Sequence, residues 1–321
     1  MTLSAMNEFE LIQTLMPLLP DNRHTIVGAG DDCAVIDLGV PGQWTLFKTD
    51  AMVQDVHFTA ETLPEKVGRK ALGRCLSDVA AMGGKPISAV VTIGLARSYD
   101  PSWVARVYMG MRELAQRFDT AIVGGETTTH PGGVFLSVAV LGAVNPGKCP
   151  LRSGAKPGDG IFITGELGGS ILGKHLDFDP RIPEAAWLVE HFDIHCMMDI
   201  SDGLAGDLPH ILRASGCGAE LLASAIPISQ DARAQSVKPV SEGGSGKRPD
   251  PLSSALSDGE DFELLFTVAS RDAVPLMDQW KAAFPNLRLT CIGKITEKTG
   301  LRLRTKDNVT EIHIHGYQHF A

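Results

Sequence analysis

Short apolar, β-branched runs alternate with amphipathic helical stretches along almost the whole chain, and this alternation limits the possible folds more than any other feature. Residues 44–49, 87–96, 121–123, 134–144, 160–164, 219–222, 262–268, 287–292 and 301–304 read as strands. Residues 9–16, 64–82, 102–118, 167–176, 203–214 and 272–283 read as helices. In 64–82, Val67, Ala71, Cys75, Val79 and Met82 fall on one side, the stripe expected of a helix with one buried face. Strands interleaved with helices imply an α/β or α+β architecture.

A chain of 321 residues exceeds what one hydrophobic core usually serves, so two domains of roughly 150 residues are expected. The run Asn145-Pro146-Gly147-Lys148-Cys149-Pro150, followed by Lys156-Pro157-Gly158-Asp159, marks the junction and gives domains 1–150 and 151–321. Residues 236–250, rich in Ser, Gly, Pro and basic side chains, read as a mobile linker. Its Gly243-Gly244-Ser245-Gly246-Lys247-Arg248 lacks the Ser or Thr after Lys, and the preceding strand, that a phosphate loop requires.

The net charge of −9 and isoelectric point near 5.6 exclude a general electrostatic hold on nucleic acid or anionic lipid. A phosphate-bearing ligand must then be handled locally, by metal ions or a few basic groups. The six cysteines form no Cys-x-x-Cys pair, so reduced, mostly buried thiols are expected. No apolar run approaches a membrane span and the first residues lack a signal-peptide pattern, so a soluble, cytoplasmic protein is expected.

Carboxylates recur where glycine or a strand end brings backbone near a ligand. They include Asp32 after Gly28-Ala29-Gly30-Asp31, Asp50 after Lys48-Thr49, Asp78 near the end of a helix, and Glu126 after Gly124-Gly125. The second half adds Asp199-Ile200-Ser201-Asp202-Gly203 and Gly259-Glu260-Asp261-Phe262-Glu263. Each alone is explicable as a cap or turn. Together they exceed the nearby basic partners, and buried carboxylates call for counter-charge. Hard cations bridging a ligand's phosphates answer that need. Gly165-Glu166-Leu167-Gly168-Gly169-Ser170 opens a helical stretch and offers backbone N–H groups to a phosphate. Arg152 stands at the domain junction, where a nucleotide could meet it. His57 beside Phe58 reads more readily as structural, and no metal site is expected at His313, His315 and His319.

The ordered set Gly30-Asp31-Asp32-Cys33-Ala34, Thr49-Asp50 with His57-Phe58, Leu76-Ser77-Asp78-Val79-Ala80-Ala81-Met82-Gly83, Gly124-Gly125, Arg152-Ser153-Gly154-Ala155-Lys156-Pro157-Gly158-Asp159, Asp199-Ile200-Ser201-Asp202-Gly203-Leu204 and Gly259-Glu260-Asp261 resembles the thiamine-monophosphate kinases nearly end to end. That family sits with aminoimidazole-ribonucleotide synthetase and selenophosphate synthetase. The resemblance implies an N-terminal mixed sheet with helices that forms a homodimer and binds ATP and metal. It also implies a C-terminal αβ sandwich that completes the active site. The implied reaction is magnesium-dependent phosphoryl transfer from ATP to thiamine phosphate, giving thiamine diphosphate and ADP without a covalent enzyme intermediate. By motif, Asp32, Thr49, Asp50, Asp78, Glu126, Asp199 and Asp202 would surround several magnesium ions. Gly125, Glu126, Arg152 and Ser201 would meet ATP, and His57, Glu260 and Tyr317 would lie near thiamine phosphate.

Three residues depart from the family's usual pattern: Glu126 for Asp, Lys48 for Ser or Thr, and Asp55 for Gly. The alternatives to this reading are a related ATP-dependent enzyme with another acceptor and a non-catalytic nucleotide- or metal-sensing module.

Overall fold

The computed structural model describes residues 8–237 and 250–312. Tyr317, the three C-terminal histidines and most of the 236–250 stretch therefore lie outside the described residues. The chain divides into two compact units, one of residues 24–149 with 175–190, the other of residues 1–23, 150–174 and 191–321. For brevity they are the N-terminal and C-terminal units. A leading helix, α1 (Glu8–Leu15), ends in a single 3-10 turn at Met16–Leu18 that carries Pro17.

The N-terminal unit is built on a six-stranded mixed sheet. Its strands are β1 (Thr25–Val27), β2 (Ala34–Ile36), β3 (Trp44–Val53), β4 (Lys85–Leu95), β5 (Ala121–Thr129) and β6 (Phe135–Val144), in the order β1-β2-β3-β6-β4-β5. β4 and β5 run parallel while the other neighbours are antiparallel. A parallel pair needs a crossover connection, which α3 (Pro101–Arg117) supplies. α3 packs on α2 (Pro64–Ala81), which lies against β3, β6 and β4. α3 begins at Pro101 because the Asp100 side chain accepts the Ser102 N–H, a capping arrangement that apolar spacing alone does not reveal.

Val67, Ala71, Cys75, Val79 and Met82 are all buried, as their spacing predicts. Each large apolar member of such a stripe contributes about 1.5–3 kcal/mol. The other face of the sheet is open, with Phe47, Val90 and Leu141 exposed by 44%, 43% and 41%.

β5 continues through Gly124-Gly125-Glu126, where the sequence suggests a turn after a three-residue strand. Gly125 sits at φ +155°, and a Cβ there would stand 1.8 Å from the Val91 carbonyl oxygen. Only glycine lets β5 approach β4 so closely. Beyond the short α4 (Lys174–Asp177), α5 (Ile182–His191) carries Pro183 in its first turn. Proline is tolerated there because that N–H has no intrahelical partner, so Pro183 does not break the segment as its sequence suggests.

The C-terminal unit holds a seven-stranded sheet of β7 (Gly160–Thr164), β8 (Ile194–Asp199), β9 (Gly218–Leu222), β10 (Leu264–Val268), β11 (Leu289–Thr296), β12 (Gly300–Arg304) and β13 (Val309–Glu311). The order is β13-β12-β9-β11-β7-β10-β8, with only β9 and β12 parallel. Its helices are α6 (Leu204–Ser215), α7 (Gln230–Val237), α8 (Pro251–Ser257) and α9 (Ala273–Ala283). Every residue of β7 and β10 is buried, which explains why both read as uninterrupted apolar runs. One face packs Ile161, Ile163, Leu265, Leu208 and Ile211 into a single core. The other stacks Phe162 on Phe266 at 5.6 Å between ring centres.

The expected helix over 167–176 is not one helix. Gly168 and Gly169 adopt φ +84° and +71°, a left-handed backbone that ends helical geometry. Only a 3-10 turn at Ser170–Leu172 and α4 follow.

Candidate active site

In the N-terminal unit, strand alternation selects which polar groups meet. Lys48 and Asp50 share the face of β3 that α2 covers, and α2 presents Arg74 and, one turn later, Asp78. Lys48 Nζ donates to Asp78 Oδ1 at 2.8 Å. Arg74 Nε lies 3.2 Å from Asp50 Oδ2 and the same guanidinium donates to the Ala51 carbonyl at 3.1 Å. Asp32, 2% exposed, and Asp78, 6% exposed, offer carboxylate oxygens within 4.8 Å of each other. Burial opposes charge on Lys48, but Asp78, Asp50 and Asp32 outweigh it and hold its ammonium protonated well above the ordinary lysine range.

Burial pushes the thiols of Cys33 and Cys75 well up, with Asp78 and Asp50 among the carboxylates that reinforce the shift. These cysteines are inert protonated packing groups. All six cysteines are free thiols, as the sequence suggests.

The expected metal-binding residues of this unit divide between the two faces of the sheet. Thr49 Oγ1 points to the open face and meets Ser137 Oγ at 3.3 Å. The rows Asp50↔Val138, Val138↔Val91 and Val91↔Gly125 place Gly125 level with Asp50 on the covered face. The rows Ala51↔Ser137, Ser137↔Thr92 and Thr92↔Glu126 place Glu126 on the open one. Three strand spacings, about 14 Å, separate the β3 and β5 backbones. Glu126 is exposed on the edge strand. Between α3 and β5 lies a cavity of about 540 Å³ lined by Tyr108, Arg112, Gln116, Thr120, Ile122 and Gly124. No motif flagged Tyr108 or Arg112, because an aromatic or basic residue on a helix has many ordinary uses.

His57 stands in the loop after β3. Its Nδ1 accepts the Val53 N–H at 3.0 Å, so a neutral ring carries its proton on Nε2. Its carbonyl accepts from Lys70 Nζ at 2.7 Å, and the same ammonium meets His175 Nδ1 at 2.8 Å. Lys70 is fully buried. In sequence, a lysine beside the apolar stripe of α2 is a weak signal, because long basic side chains usually snorkel to solvent. Asp55 adopts φ +66°. Asp is one of the few residues other than glycine that tolerate this region.

In the C-terminal unit, β8 ends at Asp199 and the chain turns through Ser201 and Asp202 into α6. Asp207, in the first turn of α6, accepts the N–H groups of both Ser201 and Asp202 at 3.0 Å. Burial, then the negative charges of Asp202 and Asp199, push its carboxyl well above the usual range, and Arg152 pulls it partly back. In sequence, the signal for Asp207 is an acid shortly after a Ser-Asp-Gly turn, a capping pattern. His210 is pushed down to about 3 by burial, Arg152 and Arg213, and is neutral.

The Glu260 loop is tied to the same turn. Glu260 donates its N–H to the Ser201 carbonyl at 2.6 Å and Phe262 to that of Ile200 at 2.8 Å. Both adopt left-handed backbones, φ +54° and +51°, a local strain that surrounding structure must hold. Ser201 and Glu260 are thus neighbours.

The expectation that the Gly165–Ser170 stretch offers its N–H groups to phosphate fails in the structure. Gly168 N–H donates to Asp261 at 3.0 Å and Gly169 N–H to Asp258 at 2.9 Å, while Ser170 Oγ donates to Asp261 at 2.5 Å. A carboxylate already fills the anion's place. Burial raises Asp261 to about 6. The Lys156–Asp159 turn is likewise internally satisfied, with Asp159 accepting from Lys156 N–H and from His195 Nδ1, each at 2.7 Å.

Known proteins match both halves in order. The N-terminal domain model of AIR synthase related proteins covers residues 30–144 and the C-terminal domain model residues 156–306. The thiamine-monophosphate kinase of Rhodopirellula baltica is 39% identical, covering 86% of this chain and 85% of its own. That of Bacillus subtilis is 32% identical, covering 98% and 100%. The structure of AaThiL complexed with AMPPCP and TMP superposes with a TM-score of 0.83 at 28% identity over 99% of each chain. The hydrogenase maturation protein HypE of Escherichia coli shares the fold, with a TM-score of 0.71 at 20% identity over 98% of this chain and 99% of that one.

Proposed function

Because this chain belongs to the thiamine-monophosphate kinase family, we propose that it transfers the γ-phosphoryl group of ATP to thiamine phosphate, giving thiamine diphosphate and ADP. The observation that carries this reading is full-length similarity to a relative solved with AMPPCP and TMP. AMPPCP is an ATP analogue whose terminal bridge resists cleavage, so donor and acceptor are both represented there.

A terminal phosphate oxygen of the acceptor forms the new bond to the γ-phosphorus as the bond to the bridging oxygen breaks, and ADP leaves with that electron pair. The acceptor is already an anion at neutral pH, so positioning and counter-charge outrank any general base. Magnesium, when bound, neutralises charge developing on the phosphoryl oxygens. Carboxylate oxygens are the hard donors it requires, and the buried, adjacent Asp32 and Asp78 would offer two of them.

The proposed metal-holding residues are Asp32, Thr49, Asp50, Asp78, Glu126, Asp199 and Asp202. Since the Thr49 side chain faces the open side of the sheet, its carbonyl is the more suitable donor. Gly125, Glu126, Arg152 and Ser201 meet ATP, and the Tyr108–Arg112 cavity beside Gly124 receives its base. His57, offering Nε2–H, and Glu260 with Tyr317 orient thiamine phosphate.

Exposed Phe47, Val90 and Leu141 on the open sheet face support a homodimer through this unit, since contiguous apolar surface marks association sites. Light scattering should return twice the chain mass of 34.3 kDa. No helix among the described residues is long and apolar enough to cross a membrane, and free thiols suit the cytoplasm. The deciding assay follows thiamine diphosphate from thiamine phosphate, ATP and MgCl2. No product with that pair, or product only with another acceptor, sinks the assignment. ATP binding without transfer to any acceptor would leave a sensor module.

A further inference from the structure

Among the carboxylates of the N-terminal unit, two side-chain cations are already in place. Lys48 Nζ holds Asp78 Oδ1 at 2.8 Å and Arg74 Nε faces Asp50 Oδ2 at 3.2 Å. Against three carboxylates, Asp32, Asp50 and Asp78, these two cations leave a net charge of −1. Three carboxylates without cations would present −3. Lys48 reaches this position because β3 alternation directs it, with Asp50, under α2. The Lys48 and Asp78 side chains are 22% and 9% exposed, so their attraction is far less screened than that of a surface pair.

We propose that Lys48 is a resident cation of this carboxylate group, holding the Asp78 oxygen that a divalent ion would otherwise take. This chain consequently binds one divalent ion fewer, or binds its first ion more weakly, than the same carboxylates would without the lysine. The inference rests on reading Asp32, Asp50 and Asp78 as magnesium ligands. A divalent ion entering at Asp78 must displace the ammonium that already holds this oxygen at 2.8 Å, or bind against its charge.

The test is Mn2+ titration of the full-length chain without nucleotide, read by the electron paramagnetic resonance of free Mn2+. Lys48→Thr should bind one Mn2+ more than wild type, or tighten the first by at least about tenfold, equivalent to 1.4 kcal/mol. Lys48→Met, which keeps length and loses charge, should do the same and keeps the test standing if the Thr variant folds poorly. Asp78→Asn should weaken Mn2+ binding by about tenfold or more. If Asp78→Asn weakens binding but neither Lys48 variant gains a site or affinity, the Lys48 assignment is overturned and the ligand reading survives. If none of the three variants changes Mn2+ binding, both are overturned.

Discussion

The two units neutralise their acidic residues by different means. In the N-terminal unit Asp78 and Asp50 face side-chain cations, Lys48 and Arg74. In the C-terminal unit Asp207 accepts two backbone N–H groups and Asp261 accepts another together with a hydroxyl. Their carboxyls are pushed up, Asp261 to about 6. Charge pairing leaves a carboxylate exchangeable with another cation. Backbone capping in a buried site uses the carboxylate as a structural clasp. Sequence-adjacent acids thus differ in role: Asp202 lies in the turn while Asp207 holds it, and Glu260 stands beside Ser201 while Asp261 fastens the glycine loop.

The contrast breaks most visibly at Asp78. Asp78→Asn should lower kcat/KM at limiting magnesium by about a thousandfold, the upper range for losing one electrostatic contributor to a transition state. The chain should still fold, with some loss of stability in urea because Lys48 loses its partner, and steady-state kinetics across magnesium concentrations reads the first effect. Asp207→Ala should show the reverse emphasis. Leaving the Ser201 and Asp202 N–H groups without their acceptor should cost about 4 kcal/mol of stability, measured by urea denaturation.

Asp261 sharpens the comparison through pH. Its folded-state pKa, about 6, exceeds the ordinary 3.8, so the folded chain binds this proton more tightly than the unfolded chain does. The associated stability is fully present below about pH 4 and is lost as pH rises through 6. Wild type should therefore lose up to about 3 kcal/mol relative to Asp261→Asn between pH 4 and 7, readable from paired urea curves. The smallest effect belongs to exposed Glu126. Glu126→Asp should keep kcat/KM within about fivefold, near 1 kcal/mol. Complete loss of activity would show a site rebuilt around the longer side chain.

Much of the architecture is legible in residue order. The α2 stripe, the buried runs of β7 and β10, and the apolar stretch of β6 each carry a periodicity that follows from the face they bury. Less legible are features that depend on partners distant in sequence. The apolar pattern does not announce β8, where His195 and the terminal Asp199 dilute it, nor the extension of β5 through Gly124-Gly125-Glu126, which exists because Gly125 can approach Val91. The Gly165–Ser170 stretch has the composition of a phosphate-binding turn, yet Asp258 and Asp261, some ninety residues later, occupy its N–H groups.

Taken alone, the sequence determines the chemistry available to this protein: hard carboxylate donors after glycines and strand ends, an acidic net charge that demands local counter-ions, and an ordered motif set that marks the family. Those properties reside in residue type and spacing, which survive without coordinates. Tertiary structure decides which carboxylates remain available to a cation. Lys48 is one residue in a strand until β3 alternation and the packing of α2 bring it to 2.8 Å from Asp78, and the same alternation sends its neighbour Thr49 to the opposite face. Electrostatic energy depends on distance and burial, and neither is set until chain segments far apart in sequence have packed.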